Sequence, residues 1–270
     1  MIGIANCRRS AGPVALMLWV VGWTFAADIA APDMVSIPAG VFSMGSERGA
    51  DDESPQRSVT LSAYQIGRTE VTNTQYLMFW LADGGVVSAH TPIAYDHVGL
   101  WPDIAESRPD DPVVGVTWED AQACARWMGC RLPTEAEWER AARGDDGRAY
   151  PWGDVFARPT SGAKAHANIR GVDDGHEGPA PVASYPTGSS PFGAMDMAGN
   201  VAEWVTDRYS ATYYRRAADV DPPGPETGFY RVIRGGSWAH DALDARVARR
   251  LSEYPDMGLS YVGFRVARDE

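Results

Sequence analysis

Apolar positions change their period several times along this chain, and each change marks an element. Residues 34–45 (MVSIPAGVFSMG) alternate apolar and polar around Pro38 and Gly40, the pattern of two short strands about a turn. Residues 46–58 (SERGADDESPQRS) are polar and charged and read as a solvated loop; strand-like alternation returns from Val59 to Ile66. Three helix starts then repeat one device: Thr72 is followed by Gln75, Thr117 by Asp120, and Thr134 by Glu137. A threonine there caps a free first-turn amide, while the later side chain reaches back to the threonine's own N–H. The first helix is predicted over Asn73–Ala82, stopping before Gly84 and Gly85. The second places Ala121, Cys124, Ala125 and Met128 at i, i+3, i+4 and i+7, so one face is buried. The third sets Trp138, Ala141 and Ala142 on one face and ends at Gly144.

Beyond Gly144 the helical period fades into a glycine-, proline- and ring-rich stretch with short apolar runs at Pro181–Tyr185 and Arg231–Arg234. Disordered segments are poor in aromatic residues, so this stretch is expected to be folded. No segment reads as an inter-domain linker, and no internal repeat is evident. The expected fold class is α+β, with much irregular structure, in a single domain.

Composition narrows the partners. With 270 residues, 44% hydrophobic and 22% charged, the chain can bury a sizeable core. A net charge of -12 repels nucleic acid and anionic membranes and favours neutral or cationic partners, calcium included. Residues 1–26 read as a signal peptide: Arg8 and Arg9, an apolar run from Val14 to Val21, then Thr24-Phe25-Ala26 as the cleavage box. Cys7 precedes the apolar run, so no lipobox follows. The run is too short to span a bilayer comfortably, so the expected product is periplasmic or secreted, without stable membrane insertion after cleavage; the alternative is an uncleaved anchor. Cleavage leaves Cys124 and Cys130. Six helical residues rise about 9 Å, out of disulfide reach unless the helix breaks at Gly129; otherwise these are two separate thiols.

Several segments, in order, carry a resemblance. They are Ile37-Pro38-Ala39-Gly40-Val41-Phe42-Ser43-Met44-Gly45, Glu70-Val71-Thr72-Asn73, Pro112–Ala121, Arg131–Glu139, Asp196–Trp204, Arg234–Trp238 and Gly263-Phe264-Arg265. Any one is weak; together, over residues 34–268, they resemble the formylglycine-generating enzyme or sulfatase-modifying factor domain. The resemblance implies one compact, irregular domain related to the C-type lectin fold, often with structural calcium. Founding members oxidise a cysteine of a sulfatase peptide with dioxygen and copper(I) held by two cysteines, three and eight residues past the serine of the Gly-Gly-Ser turn. Counted from Ser237, those positions are His240 and Ala245. Copper(I) is soft and is held by thiolates, and an imidazole with a methyl group cannot replace two of them. Cys124 and Cys130 belong to the second helix and cannot stand in. Neither copper nor formylglycine generation is therefore expected here.

The resemblance also implies a calcium site from the side chains of Asp196 and Glu203 and the carbonyls of Gly199 and Val201, an oxygen set that suits a hard cation. The bland alternative is a Gly199-Asn200 turn with two solvated acids. A second implied site uses Asn168, the carbonyls of Ile169 and Tyr185, and a carboxylate at position 183, where this chain has Ala183. Ser237 matches a cleft residue of the family, His240 is titratable near neutrality, and Asp244 stands where the family has a cleft tyrosine. Ser237, His240 and Asp244 also spell a hydrolytic triad, although three residues of one loop rarely form one. His90, His97, His166 and His176 lack metal-ligand spacing and read as surface loop residues. Arg246, Arg249 and Arg250 either pair with carboxylates at the core edge or line the cleft.

Two function classes remain open at this point. One is an accessory member whose cleft binds a periplasmic protein, a peptide or a small ligand. The other is an oxidoreductase of the cysteine-free branch, like the pyoverdine-maturation oxidase that resembles this family.

Overall fold

A computed structural model describes residues 32–95, 99–156, 165–171 and 175–270. The expected signal peptide and His97 lie outside the described residues. Strand β1 (Met34–Ile37) and strand β2 (Gly40–Met44) form on either side of Pro38 and Ala39 as the alternation predicts. They are not a hairpin. Strand β3 (Arg57–Leu61) pairs with β2 and strand β4 (Tyr64–Gly67) with β1, so the Pro38-Ala39 turn moves the chain from one sheet to another. Both registers follow burial: Val35 faces Ile66, and Phe42 faces Val59. Strand β9 (Ala267–Asp269) adds to β4 from the far end of the chain.

The helices start where the caps predict. Helix α1 spans Asn73–Ala82, α2 Asp103–Ser107, α3 Trp118–Trp127 and α4 Glu135–Arg143. Thr72, Thr117 and Thr134 each close a capping box, the short Asp120 side chain included. Each cap contributes about 1 kcal/mol. Gly144 ends α4 with a φ of 72°. Helix α2 was not legible, being a five-residue piece without a threonine cap. Helix α4 departs from its amphipathic reading: all of its residues are buried, the acids and arginines too.

Strand β5 (Ala202–Arg208) is the centre of a mixed sheet ordered β7-β6-β5-β8, with β6 Arg231–Arg234, β7 Leu251–Glu253 and β8 Val262–Gly263. Two large cores flank α4 and β5. Ile37, Phe42, Val59 and Ile66 pack with Trp138 and Ala141 of α4 in one. Tyr76, Phe79, Ala121 and Cys124 pack with Trp204 and Phe264 in the other. Buried ion pairs stitch the charges of α4 into place: Glu135 to Arg250 at 2.8 Å and Glu139 to Arg234 at 2.6 Å. Arg246 and Arg249 likewise pair with carboxylates, Glu53 at 2.7 Å and Asp244 at 3.0 Å. Cys124 and Cys130 are free thiols, although Gly129 does break the helix with a φ of 69°. Among the described residues no helix is long and apolar enough to cross a membrane.

Candidate functional site

Strand β6 ends at Arg234, and Gly235 and Gly236 follow with φ of 91° and 66°. A Cβ at Gly235 would stand 3.1 Å from the Trp138 ring, and one at Gly236 would stand 2.9 Å from the Asp244 carbonyl. Both the backbone angle and the crowding therefore require glycine. The turn delivers Ser237 fully buried, its Oγ 2.7 Å from His240 Nδ1. The same oxygen accepts the Ala239 N–H at 3.2 Å, so the hydroxyl bridges that amide and the imidazole.

Tyr261 packs edge-on against the His240 ring, with centroids 5.2 Å apart, and its hydroxyl donates to Glu253 at 3.2 Å. Burial first, and then Glu253, push the Tyr261 pKa up to about 12, so it stays a neutral phenol. Burial holds the His240 imidazole below its usual pKa of 6.5; Asp244 opposes that shift and Arg170 adds to it. The His240 carbonyl accepts the Arg170 N–H at 2.8 Å. Two ion pairs act on the His240 ring, Arg170 with Asp241 at 3.8 Å and Arg249 with Asp244 at 3.0 Å. The corner thus offers hydrogen bonds from a neutral imidazole between charged rims.

Ser237 and His240 are brought together as the sequence suggested, while Asp244 turns its carboxylate to Arg249. With Ser237 buried and Asp244 committed elsewhere, no hydrolytic triad forms. Ala245 is fully buried and packs with Ala167, Ile169 and Ala198. The position counted for the second copper cysteine therefore lies in the core.

The residues named for calcium occupy one buried network. Both Glu203 carboxylate oxygens accept from Arg265, Oε2 from Nε–H at 2.6 Å and Oε1 from Nη2–H at 2.7 Å, and Oε2 also accepts Trp138 Nε1–H at 2.7 Å. Asp196, at a φ of 57°, accepts the Ala183 N–H at 2.6 Å. Asn168 donates through Nδ2 to the Gly178 carbonyl at 2.8 Å, and its own carbonyl takes the Asn200 N–H at 2.8 Å. The two implied calcium segments thus bond directly to each other. Ile169 and Tyr185 are buried, Val201 is fully buried, and a Cβ at Gly199 would stand 2.3 Å from the Asn168 carbonyl. Among the described residues no three acids, histidines or cysteines stand close enough to share a metal ion. The side chains present do not fit the implied ligand set, because a cation on Glu203 would have to displace or face the Arg265 guanidinium.

Sequence reasoning missed Glu70 in this network. It is buried, and its Oε1 accepts Asn200 Nδ2–H at 3.1 Å. Burial and then Asp196 push its carboxyl well above the usual range, and burial raises Asp196 to about 6. The clue was in the Glu70-Val71-Thr72-Asn73 segment, whose acid precedes a helix cap yet faces inward. The histidines are local: His90 meets Asp120 at 2.7 Å, His166 stacks on Trp152 at 5.1 Å, and His176 is exposed.

Comparison with known proteins extends this picture over the whole domain. Residues 24–270 match the sulfatase-modifying factor enzyme 1-like domain. The formylglycine-generating enzyme of Streptomyces coelicolor is 40% identical, over 87% of this chain and 88% of its own. The hercynine oxygenase of Mycolicibacterium thermoresistibile is 36% identical, over 81% of this chain and 54% of its own. The structure of PvdO from Pseudomonas aeruginosa superposes with a TM-score of 0.74 at 28% identity, covering 89% of this chain and 95% of that one. This chain belongs to the sulfatase-modifying factor family and has the α+β, single-domain fold of the formylglycine-generating type.

Proposed function

We propose that this protein is an exported, ligand-binding member of the family that does not make formylglycine. The observation that carries the reading is the closed Ser237–His240 hydrogen bond at the turn where a thiolate pair would stand, with Ala245 packed into the core behind it. An imidazole tied to a serine hydroxyl binds a partner by hydrogen bonds, and copper(I) prefers sulfur. The ligand is a periplasmic protein, a peptide or a small molecule, held between the Arg170–Asp241 and Arg249–Asp244 rims.

The test is mass spectrometry of a cysteine-containing sulfatase peptide incubated with the protein and copper(I). The expected outcome is an unmodified cysteine, and appreciable aldehyde would overturn the reading. Likeness to PvdO over 89% of the chain favours a second reading, an oxidoreductase of the cysteine-free branch. Substrate oxidation by the wild type that is lost in His240→Ala would select it.

A further inference from the structure

We propose that the outer edge of β7 is a docking site for an extended peptide segment of a partner protein, one bearing a basic and an acidic side chain. Neither Ser237 nor His240 lines this site, which shares only the rim residue Arg249 with their corner. A broad, largely open cavity of about 670 Å³ lies against β7. Leu251 and Ser252 both line it. They are neighbours in a strand, and successive strand residues point to opposite faces of a sheet. Leu251 packs against the core beside Ile233, its register partner on β6. A single cavity touching both residues therefore runs along the strand's outer edge.

That edge is open. Among the described residues, in the order β7-β6-β5-β8, β7 pairs with β6 alone. A strand edge presents unpaired N–H and C=O groups, which an extended peptide satisfies by adding a strand. The sequence Leu251-Ser252-Glu253 contains no proline or lysine to block such pairing.

The cavity walls add specificity through unsatisfied charge. Asp51 and Asp52 come from the turn after β2, and Arg215 from the turn after β5. Among the described residues neither Asp51 nor Arg215 has an ion-pair partner, whereas Asp52 holds the Tyr209 hydroxyl at 2.7 Å. Arg249 and Arg250 also line the cavity, but Asp244 and Glu135 already neutralise them. One free carboxylate and one free guanidinium in the same cavity select a segment carrying both charges. Since β7 is only three residues long, the strand pairing is brief and the two charges set the choice of partner.

The experiment uses the probe peptide acetyl-Thr-Lys-Thr-Glu-Thr-amide, titrated into the ¹⁵N-labelled protein and followed by amide shifts. Saturable shifts are expected at Leu251 and Ser252, with Ser237 and His240 unmoved. Asp51→Asn and Arg215→Gln, both at exposed side chains, are expected to weaken binding a few-fold each, as for partly screened pairs. Methylating alternate backbone nitrogens of the probe is expected to weaken it about tenfold or more, since each lost main-chain bond is worth about 1 kcal/mol. Absence of shifts at Leu251 and Ser252, or equal binding of the methylated probe, would overturn the proposal.

Discussion

Arg265 donates two hydrogen bonds from its guanidinium to the two carboxylate oxygens of Glu203, at 2.6 and 2.7 Å, with both side chains fully buried. Its remaining N–H groups reach the carbonyls of Gly67, Arg68 and Met195. One side chain near the C-terminus thus ties β5 to the turn after β4 and to the loop before the Gly199 turn. Removing one partner of such a pair strands a buried charge, which typically costs about 3–5 kcal/mol. Arg265→Met is expected to lower Tm by roughly 10 °C, at two to four degrees per kcal/mol for a domain of this size. Arg265→Met combined with Glu203→Gln is expected to lose less than the sum of the two single changes, because neither charge is then left alone. Thermal unfolding of the three variants measures both effects, and strict additivity would show that the pair does not act as a unit.

The same geometry bears on calcium. With Glu203 committed to Arg265, chelation by EDTA is expected to leave Tm unchanged. A fall of several degrees that added calcium restores would instead place a cation on Asp196 and neighbouring carbonyls.

Asp207 makes stability depend on pH. It is fully enclosed, and burial and then Glu135 raise its pKa to about 7, although it accepts the Glu135 N–H at 2.8 Å. The unfolded carboxyl ionises near 3.9, so between about pH 4 and 7 the folded state binds more protons than the unfolded state. Stability from this group is full below pH 4 and falls as pH rises toward 7. Asp207→Asn is expected to flatten that slope in denaturant titrations at pH 5 and pH 8. A slope unchanged in the variant would assign it to other groups.

His240 gives the opposite sign. Its folded pKa lies below 6.5, so it contributes nothing above that value, and stability falls as pH drops from 6.5 to the folded pKa. Imidazole NMR titration is expected to place the midpoint below 6.5. Asp244→Asn is expected to lower it further, since the Asp244 charge now favours the protonated ring. Ser237→Ala removes the bond to Nδ1 and is expected to cost about 1 kcal/mol. A midpoint at or above 6.5 would mean that the ring is not desolvated as its packing against Tyr261 implies.

What the sequence determined by itself is local. The threonine caps at Thr72, Thr117 and Thr134 fixed helix starts because a cap needs only a neighbour three residues away. Alternation located β1 and β2, and counting from Ser237 found the pair Ser237 and His240, which lie within one turn. Which strands pair was not legible: β1 chooses β4 over β2, since hydrogen-bond partners are selected by the burial of distant faces. The burial of α4 was also hidden, because Arg234 and Arg250 arrive from about a hundred residues further along to neutralise Glu135 and Glu139. Only the tertiary structure decided that Glu203 meets a guanidinium, that Ala245 belongs to the core and that Glu70 faces inward beside Asp196. A carboxylate carries the same letter whether it holds a cation, an arginine or a proton. The charges that three-dimensional packing brings against it determine which.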